Sequence, residues 1–197
     1  MGEVLLRLVS KLAIRLITNQ INEIMLPIQL GVGSKGGIRC EMIVHNVQHA
    51  LDRREREDPT AVLTIDFKNA FNEINRGFVM NELFTHPSLS DIYNLCNMCY
   101  DVPTRLYVRR QDGTIGEDFQ LHSREGVRQG DPLGPLLFSL GINPVYKLIK
   151  ERYKDITVQA IMDDLTLTGK PEELIEAFEI VNRNDKKRSK TENQPIN

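Results

Sequence analysis

Three aspartates stand where their neighbours give no ordinary reason for a charge. Asp66 ends the apolar run Ala61-Val62-Leu63-Thr64-Ile65, and Asp163-Asp164 lie between two further apolar segments, residues 157–162 and 165–168. Asp is disfavoured in strands, and neighbouring carboxylates either take up a proton or bind a cation. If the three converge at one sheet edge, they form a hard-oxygen site suited to Mg²⁺. Two such ions can activate an attacking hydroxyl and stabilise a leaving phosphate oxygen. From these residues alone a plainer reading stays open, in which Asp163-Asp164 is a polar hairpin turn and Asp66 a strand terminator. A second constellation is Arg128-Gln129-Gly130-Asp131-Pro132-Leu133-Gly134-Pro135-Leu136-Leu137-Phe138. Glycine at a helix entry lets the backbone approach a ligand closely, and a glutamine there can hydrogen-bond a base or sugar edge. Its plain alternative is an ordinary capped helix start.

The elements that must position these residues follow from periodicity. Residues 4–25 carry Leu5, Leu8, Val9, Leu12, Leu16, Ile17, Ile21, Ile24 and Met25 at helical spacing, which predicts one helix with a broad buried face, stopped by Pro27. A glycine-rich loop, Gly31 to Gly37, leads to a second helix over 38–54. Ala61 to Phe67 reads as a buried strand. Helices are expected over 76–84 and 88–100, split by Pro87. Residues 104–110 and 117–122 flank Asp112-Gly113, a hairpin signal. Asp131-Pro132 is expected to open a helix to Arg152, with Asp131 as N-cap. Strands follow over 157–162 and 165–168, then a helix over 171–182. Residues 184–197 lack an apolar period and are expected to be disordered. The order predicts an α+β fold, an antiparallel sheet backed by helices.

The composition sets outer limits. The chain has 197 residues, 41% hydrophobic and 26% charged, with net charge −2. That excludes a strongly basic coat for nucleic acid but permits a local basic face. Three cysteines do not make a disulfide framework, which points to an intracellular setting, nucleus or cytoplasm. No apolar run reaches the length needed to span a membrane.

The two constellations, in order, resemble a known family. Leu63-Thr64-Ile65-Asp66-Phe67-Lys68-Asn69-Ala70-Phe71-Asn72 resembles the first palm motif of reverse transcriptases. Residues 125–138 (EGVRQGDPLGPLLF) resemble the second, and Ile161-Met162-Asp163-Asp164 the third, the double-aspartate turn. Gln29-Leu30-Gly31-Val32-Gly33-Ser34-Lys35-Gly36-Gly37 resembles the loop before the first palm motif in retrotransposon-type (non-LTR-like) enzymes, and residues 2–11 the tail of a fingers motif.

The resemblance implies an RNA-directed DNA polymerase palm over 61–183, partial fingers over 1–60 and no thumb. It implies a fragment truncated at both ends, with Lys186, Lys187 and Lys190 in a polar tail. Asp66 and Asp163 would be the principal ligands of two Mg²⁺ or Mn²⁺ ions, with Asp164 beside them and the Phe67 carbonyl assisting. Phe71 matches the steric gate that blocks a ribose 2′-hydroxyl. Gln129 and Gly130 would line the nascent base pair and template. The partners implied are an RNA template, a DNA primer and deoxynucleotides, with an endonuclease or RNase H module elsewhere in the parent element. Ile161 departs from the aromatic or small residue many members carry. The alternatives to an active enzyme are an inactive relic and a repurposed binding domain.

Other signals are weaker. Gly31 to Gly36 fits G-x-G-x-x-G, but a dinucleotide-binding unit needs a strand before it. His45 and His49 share a helix face without the glutamate of a zinc protease. Cys96-Asn97-Met98-Cys99 falls in a helical stretch, where packing is expected rather than metal or redox chemistry.

Overall fold

The computed structural model describes residues 4–33, 36–52 and 59–189; of residues 36–40, 116–120 and 185–189 it describes the backbone alone. The glycine loop's Ser34-Lys35, the charged run 53–58 and the tail beyond 189 therefore lie outside the described residues.

The sheet that carries the aspartates has three strands, β1 (Ala61–Ile65), β4 (Thr157–Ile161) and β5 (Asp164–Gly169), in the order β1-β5-β4 and antiparallel throughout. Its register is set by rows of apolar side chains. Leu63 pairs with Leu167, which pairs with Val158; Ile65 pairs with Leu165, which pairs with Ala160. A shift of one residue would send all of these to the opposite face.

Helix α7 (Gly134–Arg152) is the central support. It is buried along most of its length and packs on α5 (Arg76–Thr85), on β4 and on α8 (Pro171–Ser189), which also lies against β5 and β1. Its Leu137, Phe138, Leu140 and Ile149 are fully buried, each contributing about 1.5–3 kcal/mol by removal from water. The core continues through Leu83 of α5 and through Ile92, Cys96 and Cys99 of α6 (Ser90–Tyr100). The two cysteines thus pack as the helical reading expects, and burial pushes the Cys96 thiol up to about 12.

The N-terminal helix departs from expectation in two ways. It is two helices, α1 (Val4–Leu16) and α2 (Thr18–Met25), broken at Ile17. The Thr18 hydroxyl donates to the Ile14 carbonyl at 2.9 Å, a local bond that competes with the helix ladder. Ile17, Ile21 and Met25 are buried, but Leu5, Leu8, Val9, Leu12 and Leu16 are exposed, while Ser10 is fully buried. The apolar stripe is real; in this chain the helix turns its other side to the core.

Further differences are local. Helix α3 is Gly36–Asp52, and what precedes Gly31 is α2 and a single bridge from Gln29 to Ala160, so the glycine loop does not follow a strand of a βαβ unit. A short helix α4 (Ala70–Glu73) follows β1. Helix α7 begins at Gly134, two residues later than expected, with Pro135 in its first turn. The Asp131 side chain instead accepts from the Leu133 N–H at 3.0 Å, making the turn that leads into the helix. Helix α8 runs to Ser189, through residues 184–189 where disorder was expected. Lys and Arg propagate a helix that is already nucleated. Strands β2 (Thr104–Arg109) and β3 (Ile115–Ser123) form the expected hairpin, as a separate two-stranded sheet.

Candidate active site

The sheet places the acidic residues by register. Ile65 is opposite Leu165, so the next step brings Asp66 beside Asp164, and Asp164 itself pairs with Ile161. The turn between β4 and β5 consists of Met162 and Asp163. All three aspartates thus gather at one end of the sheet, where Ile65, Leu165 and Ala160 face the core and the next row faces away. Asp66 and Asp164 are exposed and Asp163 is half-buried. Burial, and then the fields of Asp164 and Asp66, hold the Asp163 carboxyl above the ordinary carboxylate range. Among the described residues no three His, Cys, Asp or Glu side chains are drawn together closely enough to hold an ion unaided.

The turn is fixed by a residue the sequence reading left without a role. Gln29 is fully buried. Its amide nitrogen donates to the Met162 carbonyl at 3.0 Å, and its amide oxygen accepts from the Met162 N–H at 2.7 Å and from the Gly31 N–H at 3.1 Å. Met162 has φ +57°, a conformation L-residues rarely adopt. Backbone bonds of Leu30 to Ala160 (2.7 Å) and of Ala160 to Ile28 (2.8 Å) lay this segment along β4. The available signal was one amide in the apolar stretch Ile28-Gln29-Leu30.

Phe67 is buried, and Phe71 is half-buried on α4. The Phe71 ring stacks on Phe138 of α7 with centroids 4.5 Å apart, and its carbonyl accepts from the Val127 N–H at 2.7 Å. The first and second constellations are joined there. Gly126 sits in the same contact at φ +72°, and an added Cβ would come within 2.6 Å of the Asn72 backbone. Only glycine fits both the dihedral and the space.

Gln129 and Gly130 are exposed at the tip of the same loop, Gly130 at φ +82°. Two arginines hold the loop from beneath. Arg76 donates to the carbonyls of Gly126 (2.8 Å), Ser123 (3.0 Å) and Glu125 (3.0 Å), and to the Ser123 hydroxyl at 2.9 Å. Arg128 donates to the Cys99 carbonyl at 2.6 Å and the Thr104 hydroxyl at 2.7 Å. Their guanidinium groups lie 5.5 and 5.4 Å from the ring centre of Tyr100. The Tyr100 hydroxyl donates to Asp131 at 2.6 Å. Burial and the proximity of Arg128 lower the Arg76 pKa. The sequence pattern assigns neither arginine this role, because their partners are backbone carbonyls, two hydroxyls and a ring, all distant in the chain.

Residues 3–191 match the family described as reverse transcriptase (RNA-dependent DNA polymerase). The chain belongs to the reverse transcriptase family. It is 26% identical over 192 residues to the retrotransposable element SLACS 132 kDa protein of Trypanosoma brucei gambiense, covering 91% of this chain and 15% of that protein. Among solved structures, the reverse transcriptase chain superposes on apo telomerase of Candida tropicalis with TM-score 0.63 at 12% identity, over 91% of this chain and 34% of that one. Telomerase of Candida albicans in complex with a telomeric RNA fragment gives TM-score 0.58 at 14% identity, over 88% and 31% respectively. These likenesses establish the α+β fold. The chain spans well under half the length of each of these proteins. Among the described residues no helix is long and apolar enough to cross a membrane.

Proposed function

We propose that this chain carries the nucleotidyl-transfer site of an RNA-directed DNA polymerase, with residues 61–183 as palm and residues 1–60 as part of the fingers. The observation that carries the reading is the register that brings Asp66 beside Asp164 with Asp163 in the adjoining turn. The donors fit a divalent cation: all are hard oxygens, and the raised Asp163 carboxyl marks a charge that lacks compensation. Mg²⁺ usually takes one or two carboxylates and completes its shell with water and substrate phosphate. Asp66, Asp163, Asp164 and the Phe67 carbonyl would hold two Mg²⁺ or Mn²⁺ ions. When bound, such ions promote ionisation of the primer hydroxyl and neutralise charge on the leaving phosphate.

The protein's own work is positioning. The primer 3′-oxygen forms a bond to the α-phosphorus of a deoxynucleoside triphosphate, and the bond to the bridging oxygen breaks, its electron pair leaving with pyrophosphate. Phe71, backed by Phe138, cannot retreat from a ribose 2′-hydroxyl and so excludes ribonucleotides. Gln129 and Gly130 lie on a loop fixed by Arg76 and Arg128 and would meet the nascent base pair and the RNA template. The test is template direction. On a poly(rA)–oligo(dT) duplex with Mn²⁺, dTTP is added and dATP is not; addition of both alike, or of neither, would contradict the reading.

A further inference from the structure

We propose that the cavity between the outer edge of β4 and residues 26–30 binds a small, neutral, flat ring molecule with an N–H beside a C=O, an aromatic lactam. The site is separate from the aspartates and does not rest on the polymerase reading. β4 is an edge strand, since its ladder runs to β5 alone. Ala160 directs its backbone groups away from β5: its N–H donates to the Ile28 carbonyl at 2.8 Å, and its carbonyl accepts from the Leu30 N–H at 2.7 Å. In an antiparallel strand, alternate residues point these groups the same way, so Val158 presents its N–H and C=O to the same outer edge. There the neighbouring segment has left the strand, because the Ile28 N–H turns to the Met25 carbonyl at 3.1 Å. Val158 is 4% exposed, and among the described residues neither of these two groups has a protein partner.

The cavity opens where strand and segment diverge. Its volume is about 500 Å³, within the range of small-molecule sites. Its lining includes Leu26, Pro27, Ile28, Leu30, Met42 and Val158. No acidic residue lines it, and the cation there, Lys150, already donates to the Ile156 carbonyl at 2.8 Å and to the Lys154 carbonyl at 3.3 Å. A charged ligand finds no free counter-charge, so the occupant is neutral. A buried backbone donor and acceptor require partners, and the apolar walls require apolar surface. A lactam meets both needs: its adjacent N–H and C=O match the C=O and N–H of one extended residue, and its rings cover the aliphatic side chains. A longer peptide strand fits less well. The next outward residue along β4, Ile156, already gives its N–H to the Tyr153 carbonyl at 3.3 Å and its carbonyl to Lys150.

The experiment is a titration of the full chain with carbostyril, a bicyclic aromatic lactam, followed by saturation-transfer NMR and by hydrogen exchange of the Val158 amide. Saturable binding is expected, with slower exchange at Val158. N-Methylcarbostyril lacks the donor and is expected to bind about 5- to 150-fold more weakly. Met42 lines the cavity and is 47% exposed, so Met42→Trp is expected to fold as the parent does and to abolish binding by filling the space. Met98→Trp, at a position 72% exposed on α6, is expected to bind as the parent does. Melting curves check folding, and carbostyril should raise the melting temperature of the parent but not that of Met42→Trp. No saturation up to the solubility of carbostyril, equal affinity for its N-methyl derivative, or Val158 exchange unaltered at saturation would each overturn the proposal. Those three comparisons use the unmodified chain, so they decide it even where Met42→Trp fails to fold. None requires turnover, so the presence or absence of polymerase activity leaves the result standing.

Discussion

Gln29 holds Met162 by both backbone groups, its amide nitrogen 3.0 Å from the carbonyl oxygen and its amide oxygen 2.7 Å from the amide nitrogen. The contact spans 133 residues and fixes the residue immediately before Asp163. Gln29→Leu leaves the Met162 N–H and C=O unpaired, at a cost of about 1–3 kcal/mol each. Urea unfolding is expected to show a loss of that order. Single-nucleotide addition should slow while the primer–template affinity stays constant, because the substitution frees the turn and touches no nucleic acid. Equal stability of the variant and the parent would contradict the clamp.

Asp163 has a raised folded-state pKa, and the sign of its effect on stability follows. Between its ordinary value of 3.8 and its raised value, the folded state binds more protons than the unfolded state. Stability therefore falls as pH rises through that window. Asp163→Asn is expected to unfold at a higher urea concentration than the parent at pH 7, with the difference closing below the ordinary carboxylate pKa. A variant less stable at pH 7 would show that the carboxylate is compensated by the protein itself.

Phe71→Val is expected to raise the ratio of ribonucleotide to deoxynucleotide incorporation by about tenfold or more, roughly 1.4 kcal/mol of lost discrimination. Competition between UTP and dTTP on a poly(rA) template measures it. An unchanged ratio would leave Phe71 only its stacking on Phe138.

Gly126→Ala places a Cβ within 2.6 Å of the Asn72 backbone at φ +72°. Strain of this kind costs about 1–3 kcal/mol before the clash is counted. The melting temperature is expected to fall by several degrees, about 2–4 °C for each kcal/mol in a chain of this size. A variant that melts with the parent would mean that the contact between the two loops gives way easily.

What was legible in the sequence was local. Apolar runs located β1, β4 and β5, Asp112-Gly113 located the hairpin, and motif order placed the three aspartates at one sheet end. Periodicity revealed the stripe from Leu5 to Leu16 but not which side of α1 would be covered, since a period specifies a face and only packing chooses its partner. The Asp131-Pro132 pair marked a helix entry, yet its carboxylate is held by Tyr100 and Leu133, and the helix starts at Gly134. Gln29, Arg76 and Arg128 stayed hidden because what they bind is mostly backbone far along the chain, and a backbone carbonyl leaves no signature in residue types.

The central claim is that the aspartates at the end of this sheet carry out nucleotidyl transfer. Its most direct test is single-nucleotide primer extension on poly(rA)–oligo(dT) with Mn²⁺, comparing the parent with Asp163→Asn and Asp66→Asn at matched duplex binding. The account predicts extension by the parent and a fall of several orders of magnitude in both variants, with folding and duplex affinity retained. Extension by either variant at the parental rate would contradict it.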